Sequence, residues 1–119
     1  MRVLVVCNPA SGRGKGPRVA AETVAVLTRA GMTAAQLDVD RRDAAAFLAQ
    51  LHDAAQVHDI IVIAGGDGTV HFALPALIGA RGALYHLPMG TENLFSREFG
   101  MRRAHDTLLR AITRNTRLP

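Results

Sequence analysis

The chain has 119 residues and a formal net charge of +4, a length that fits one domain able to bury a core. Hydrophobic residues at 49% and charged residues at 20% are globular values and exclude widespread disorder. Aromatics at 4% with no Trp leave no stacked platform for nucleic acid, and the single Cys7 excludes an intrachain disulfide and fits a reducing, cytoplasmic compartment.

Residues 2–7 (RVLVVC) read as a buried strand, because the run is short, continuous and rich in β-branched side chains. The same run is too short for a signal-peptide core or a membrane span. Residues 17–30 read as a helix, with Pro17 in its first turn and Gly31 as its stop. Residues 35–39 read as a weaker strand. Ala44, Phe47, Leu48, Leu51 and Ala55 then form one helical stripe, which Asp40 or Asp43 is placed to cap. Residues 59–64 (DIIVIA) are the clearest central strand. A helix over 69–78 follows, weakened at Pro75. Residues 83–87 read as a fourth strand and 92–99 as a short helix ending at Gly100. A last helix over 103–114 carries Leu108, Leu109 and Ile112 on one face, a stripe suited to packing rather than membrane insertion.

Strands alternating with helices predict an α/β fold: three layers, α/β/α, around a mostly parallel sheet. Residues 1–119 form a single domain on this reading. Ligands on such sheets bind at the carboxyl ends of the strands. Three loops follow apolar strands there: 8–16 (NPASGRGKG), 65–71 (GGDGTVH) and 88–94 (PMGTENL). Each leads into a helix, an arrangement that presents backbone N–H groups to an anion. Charge is distributed to match. Residues 1–18 carry four bases and no acid, residues 19–95 four bases and eight acids, and residues 96–119 six Arg against two acids. Basic zones beside glycine-containing loops suit a phosphate or an anionic lipid surface, or form a solvated basic face.

Two familiar fingerprints fail. A Walker A loop ending at Gly14-Lys15 would need glycine at position 9, where Pro9 stands. The dinucleotide pattern G-x-G-x-x-G started at Gly12 meets Pro17, and started at Gly14 meets Val19. Asp67 stands among Gly65, Gly66 and Gly68. An acid in a phosphate loop needs a magnesium ion, a proton or a substrate hydroxyl to offset repulsion, unless it caps the next helix. Thr69 and Thr91 suit either phosphate binding or helix capping. Asn8-Pro9 suits a turn. His71 has no second His or Cys at ligand spacing, so no residue is assigned to a metal.

At these loops the chain resembles the catalytic domain of the diacylglycerol kinase family, which includes sphingosine and ceramide kinases. NPASGRGKG, GGDGT and LPMGTEN occur in the family's order and approximate spacing. GGDGT alone also fits NAD kinases, which share the fold of the N-terminal domain. The Asn-Pro-x-Ser-Gly opening and the Leu-Pro-x-Gly-Thr-x-Asn loop favour the lipid-kinase branch.

The resemblance implies ATP and Mg2+ as cofactors and transfer of the γ-phosphoryl group to a lipid hydroxyl. It implies nucleotide contacts from Asn8, Pro9, Ala10, Ser11 and Gly12, then from Gly65, Gly66, Asp67, Gly68, Thr69 and His71, and finally from Thr91 and Asn93. Asp67 would lie at the phosphoryl-transfer centre as the catalytic residue. It further implies a β-rich second domain that carries the lipid site, so these residues are expected to be the nucleotide-binding half and inactive alone. The face left open toward that domain is expected to favour a homodimer, and the basic helix a peripheral contact with the inner membrane surface. Three departures stand out: Phe72 where many members have Glu, Glu92 and Leu94 around Asn93, and Asp40-Arg41 where members commonly offer a Thr. They keep open the alternative of a non-catalytic nucleotide-binding or regulatory module.

Overall fold

The two most apolar runs of the chain become neighbouring strands at the centre of one sheet. A computed structural model describes residues 1–10, 14, 16–80, 82–88 and 105–112. The element order is β1 (Arg2–Cys7), α1 (Gly16–Arg29), β2 (Thr33–Asp38), α2 (Ala44–Ala55), β3 (Ile60–Gly65), α3 (Asp67–Leu77) and β4 (Ala83–Pro88). Residues 105–112 are helical. The four strands are all parallel in the order β2-β1-β3-β4. The expected three-layer α/β fold is therefore observed.

Strand β3 is buried along its whole length, and β1 from Val3 onward. Both strands are covered on two faces, which is why they read as continuous apolar runs rather than alternating ones. Strand β2, at the edge, has no fully buried residue. Side chains still alternate between faces. Val3, Val5, Cys7, Ile60, Val62 and Ala64 face Val19, Ala20 and Leu27 of α1 together with Leu108 and Ile112. Leu4, Val6, Ile61 and Ile63 face Phe47, Leu51 and Ala55 of α2 and Ala73 and Ala76 of α3. Each fully buried aliphatic side chain contributes about 1.5–3 kcal/mol to the folded state.

The stripe on 105–112 does pack: Leu108 and Ile112 are buried, with Leu109 against the same cluster. His105 of this helix lies 2.9 Å from Thr23 Oγ1 on α1. That hydroxyl has one hydrogen and donates it to Val19 O at 2.7 Å. It therefore accepts from His105, whose Nε2 carries the proton.

Asp43 caps α2, accepting from the Ala46 N–H. Asp40 instead accepts from the Arg42 N–H in the preceding turn. The fourth strand runs one residue beyond its expected end. The third helix starts at Asp67, two residues before the expected Thr69. Asp67 and Gly68 consequently belong to a helical first turn, not to a loop ahead of it. Pro75 lies in the last turn, where its missing N–H costs the His71 carbonyl its partner four residues on, yet the helix continues to Leu77. The helix expected over 92–99 lies outside the described residues.

This topology opens a crevice. Helix α1 leaves β1 over one face of the sheet, and α3 leaves β3 over the other. Strands β1 and β3 are neighbours, with Cys7 opposite Ala64. Their carboxyl ends are therefore the switch point of the sheet, where the chain departs in opposite directions.

Candidate functional site

Asn8 is the first residue beyond β1. Its backbone N–H extends the ladder to Ala64 O at 3.4 Å. Its side-chain oxygen accepts from the Ala10 N–H at 3.1 Å, turning the chain through Pro9. Its side-chain nitrogen donates to Thr69 Oγ1 at 3.2 Å. One side chain thus shapes its own loop and ties it to the first turn of α3.

Helix α1 approaches this turn closely. A Cβ on Gly16 would strike the Asn8 carbonyl oxygen and come within 3.4 Å of Cys7 Sγ. Only glycine allows the helix start to sit there. Gly14, exposed, has φ +85° and needs glycine for a different reason, its left-handed backbone.

Gly65 ends β3 and is buried, and a Cβ there would lie 2.7 Å from Thr69 Oγ1. Gly66 is the N-cap of α3, in an extended conformation and without a side-chain capping bond. Its carbonyl accepts from the Thr69 N–H at 3.1 Å. The amides ahead of Thr69 precede the first carbonyl that the helix can offer them. At Gly66 and Gly68 an added Cβ would meet nothing within 4 Å, so the space over this turn is open. An open helix N-terminus at a sheet switch point is suited to an anion.

Asp67 is exposed in this first turn, where a carboxylate also favours the helix dipole. Thr69 is 3% exposed and directed to Asn8. It therefore ties the first turn of α3 to the turn after β1 rather than capping the helix. His71 is exposed one turn on. Pro9 is half-buried and Ala10 exposed. The structure thus brings Asn8, Pro9 and Ala10 together with Gly65, Gly66, Asp67, Gly68 and Thr69 at one edge. Ser11, Gly12, Thr91 and Asn93 lie outside the described residues.

Two features escaped the sequence reading. His86, half-buried on β4, places Nε2 2.7 Å from Gly65 O. A polar residue inside an otherwise apolar strand was the available signal, since such a group needs a partner. The second is a stack: the Phe47 and Phe72 rings lie 5.8 Å apart, and Arg41 lies over Phe72 at 4.7 Å. Phe72 and Arg41 each depart from the family pattern in the sequence, but only the fold joins them.

Among the described residues no group of three or more His, Cys, Asp or Glu side chains forms a metal site. Magnesium held by one carboxylate and substrate phosphates needs no such cage, and Asp67 is the acid at this turn. An apolar groove lined by Leu74, Ile78 and Leu84 lies at the other end of α3, away from the crevice.

The fold defines a doubly wound α/β domain, with the ends of β1 and β3 as its candidate ligand edge. The diacylglycerol kinase catalytic domain family matches residues 2–119. Diacylglycerol kinases from two strains of Mycobacterium tuberculosis, CDC 1551 / Oshkosh and ATCC 25618 / H37Rv, are each 35% identical over 101 residues, covering 84% of this chain and 32% of their own length. A crystal structure from Bacillus anthracis str. Sterne, assigned provisionally as a diacylglycerol kinase, superposes with a TM-score of 0.62 at 30% identity, covering 87% of this chain and 36% of that one. The chain belongs to the diacylglycerol kinase catalytic domain family and spans about a third of the length of these relatives.

Proposed function

We propose that the chain binds ATP with Mg2+ at the carboxyl ends of β1 and β3, as the nucleotide-binding half of a lipid kinase. The observation that carries this reading is the hydrogen bond between Asn8 and Thr69, which joins the turn after β1 to the open first turn of α3. Family membership supplies the reaction class. The Gly66 and Gly68 backbone would approach the phosphates without side-chain obstruction. Asp67 would act at the phosphoryl-transfer centre, orienting the acceptor hydroxyl or meeting a magnesium ion carried by the nucleotide. Magnesium would supply neutralisation of charge on the transferring group. Ser11, Gly12, His71, Thr91 and Asn93 are proposed to complete the nucleotide contacts.

The acceptor is a lipid hydroxyl on this reading, held by a second, β-rich domain. The coverage of about a third of the relatives supports that division. Residues 1–119 alone would then bind nucleotide without turnover, since alignment of both reactants contributes about 7–11 kcal/mol to such a barrier. Among the described residues no helix is long and apolar enough to cross a membrane. Access to lipid would be peripheral and cytoplasmic, aided by the basic zones, and the open cleft face would favour a homodimer.

A specific observation favours a second reading, a nucleotide-binding module without catalysis. The position where many family members have Glu is Phe72, packed against Phe47 and covered by Arg41. It supplies no carboxylate to a reaction.

Calorimetric titration with ATP and Mg2+ tests the shared part of both readings. Assay of this chain beside a longer form, with diacylglycerol, sphingosine and ceramide micelles, separates them. Turnover by the longer form alone selects the kinase. Binding without turnover in both selects the module. Absence of ATP binding removes both.

A further inference from the structure

We propose that His86 is a positioning residue for the phosphate-facing backbone: its Nε2–H holds the Gly65 carbonyl and thereby aims the Gly66 N–H into the crevice beside Asn8. The inference rests on the nucleotide-binding reading above.

The alternation of β4 sets the imidazole's side. Tyr85 and Leu87 pack on the α1 face of the sheet, so His86 between them faces the α3 side. His86 lies opposite Ile63 in the register, two residues before Gly65. From there the ring reaches Gly65 O at 2.7 Å. A carbonyl oxygen only accepts, so Nε2 is the donor and carries hydrogen. The bond survives protonation of the ring, because Nε2–H is a donor in both charge states.

The consequence follows from the peptide plane. Ala64 O faces β1, where it accepts from Asn8. Successive carbonyls of a strand point to opposite sides, so Gly65 O faces β4, where His86 meets it. The described residues contain no cis peptide bond. In a planar trans peptide the C=O and the following N–H point in opposite directions. Fixing Gly65 O toward β4 therefore directs the Gly66 N–H toward β1 and the crevice. Gly65 is the last paired residue of β3, opposite Pro88, and glycine on both sides leaves this final peptide less restrained than those before it. A side-chain donor from the neighbouring strand removes that freedom before a ligand arrives, the preorganisation that an anion site requires.

The experiment compares His86→Gln, His86→Asn and His86→Leu in the full chain. Glutamine places its amide nitrogen near the position of Nε2, asparagine falls short of it, and leucine has no donor. Titrations with ATP-Mg2+ and with adenosine are read beside thermal unfolding. The expected result is an approximately tenfold or larger loss of ATP affinity in the Asn and Leu variants, near wild-type ATP affinity in Gln, and unchanged adenosine binding. Equal loss of ATP and adenosine binding, or equal ATP affinity in all three, overturns the proposal. Where the Leu variant does not fold, the Gln and Asn pair decides alone. Failure of the wild-type chain to bind ATP overturns the nucleotide reading instead. The Gly66 amide NMR shift without ligand then judges His86: a shift unchanged in His86→Asn overturns its positioning role.

Discussion

Asn8 Nδ2 and Thr69 Oγ1, 61 residues apart in sequence, are 3.2 Å apart across the switch point of the sheet. Thr69 is buried, so Thr69→Val keeps the shape and removes the acceptor. The stranded amide should cost about 1–3 kcal/mol. Asn8→Ala should cost more, because it also removes the turn to Ala10. A double-mutant cycle by urea unfolding is expected to show coupling of about 0.5–1.5 kcal/mol. Additive effects would mean that the two loops are held together by something else.

The glycines divide into two classes with opposite expected behaviour. Gly66→Ala and Gly68→Ala place a methyl in open space. Both should fold, and Gly68→Ala should gain up to about 1 kcal/mol from helix propensity. Both should bind ATP more weakly, because the methyl would occupy the phosphate approach. Gly16→Ala and Gly65→Ala would instead meet the Asn8 backbone and the Thr69 side chain. These should lose about 1–3 kcal/mol of stability. Thermal unfolding and calorimetry on the four variants distinguish the classes, and equal ATP affinity in the first two would move the phosphate site elsewhere.

Asp67→Asn tests the chemical role. The residue is exposed, so unfolding should shift little. In a form that carries the acceptor site, turnover should fall about 10²–10⁴-fold. A rate near wild type would leave Asp67 as a helix-terminal acid with no part in transfer.

Acid should weaken the contact between α1 and helix 105–112. Burial lowers the His105 pKa below the ordinary 6.5, with Glu22 and Asp106 acting in the opposite direction. The unfolded chain therefore takes up a proton near pH 6.5 that the folded chain still refuses. This contribution to stability is fully present above that pH and is lost as pH falls toward the lower folded value. Urea unfolding between about pH 5 and 8 should show this decline in the wild type and a flatter profile in His105→Gln, which has no titrating ring.

Cys7 should be inert in the folded chain. Burial, with Asp38 adding to it, pushes its thiol up to about 11. Thiolate is the reactive form. Iodoacetamide at neutral pH is expected to modify Cys7 only after denaturant is added, and rapid labelling of the native chain would contradict its burial.

Much of this organisation was legible in the chain. The central strands announce themselves as apolar runs because both of their faces are covered. The turn after β1 and the glycine end of β3 were legible because glycine follows each run; most of the expected loop 88–94 lies outside the described residues. The start of α3 was misplaced because Gly66 and Gly68 have low helix propensity, and packing of Ala73 and Ala76 on the sheet overrides it. His86, Gly16 and the Arg41–Phe72 contact were not legible. The His86 and Arg41–Phe72 contacts depend on a tertiary arrangement that brings distant residues together and that no local pattern encodes, and that of Gly16 on how closely α1 folds back over the end of β1.

The position of β1 between β2 and β3 has a consequence for biosynthesis. Its first partner follows soon after it. Its second arrives much later: the Arg2 N–H bonds to Asp59 Oδ2, 57 positions on. From the end of β2 at Asp38 to the end of β3 at Gly65, at about 5–20 residues per second, the nascent β1–β2 pair waits roughly 1–5 s with one edge of β1 unpaired. During that interval one of the two most apolar strands of the chain has an open ladder, the form in which strands recruit unrelated neighbours. Translation speed across residues 40–60 therefore bears on the yield of folded protein, and synonymous codons that slow it should raise aggregation without changing a single amino acid.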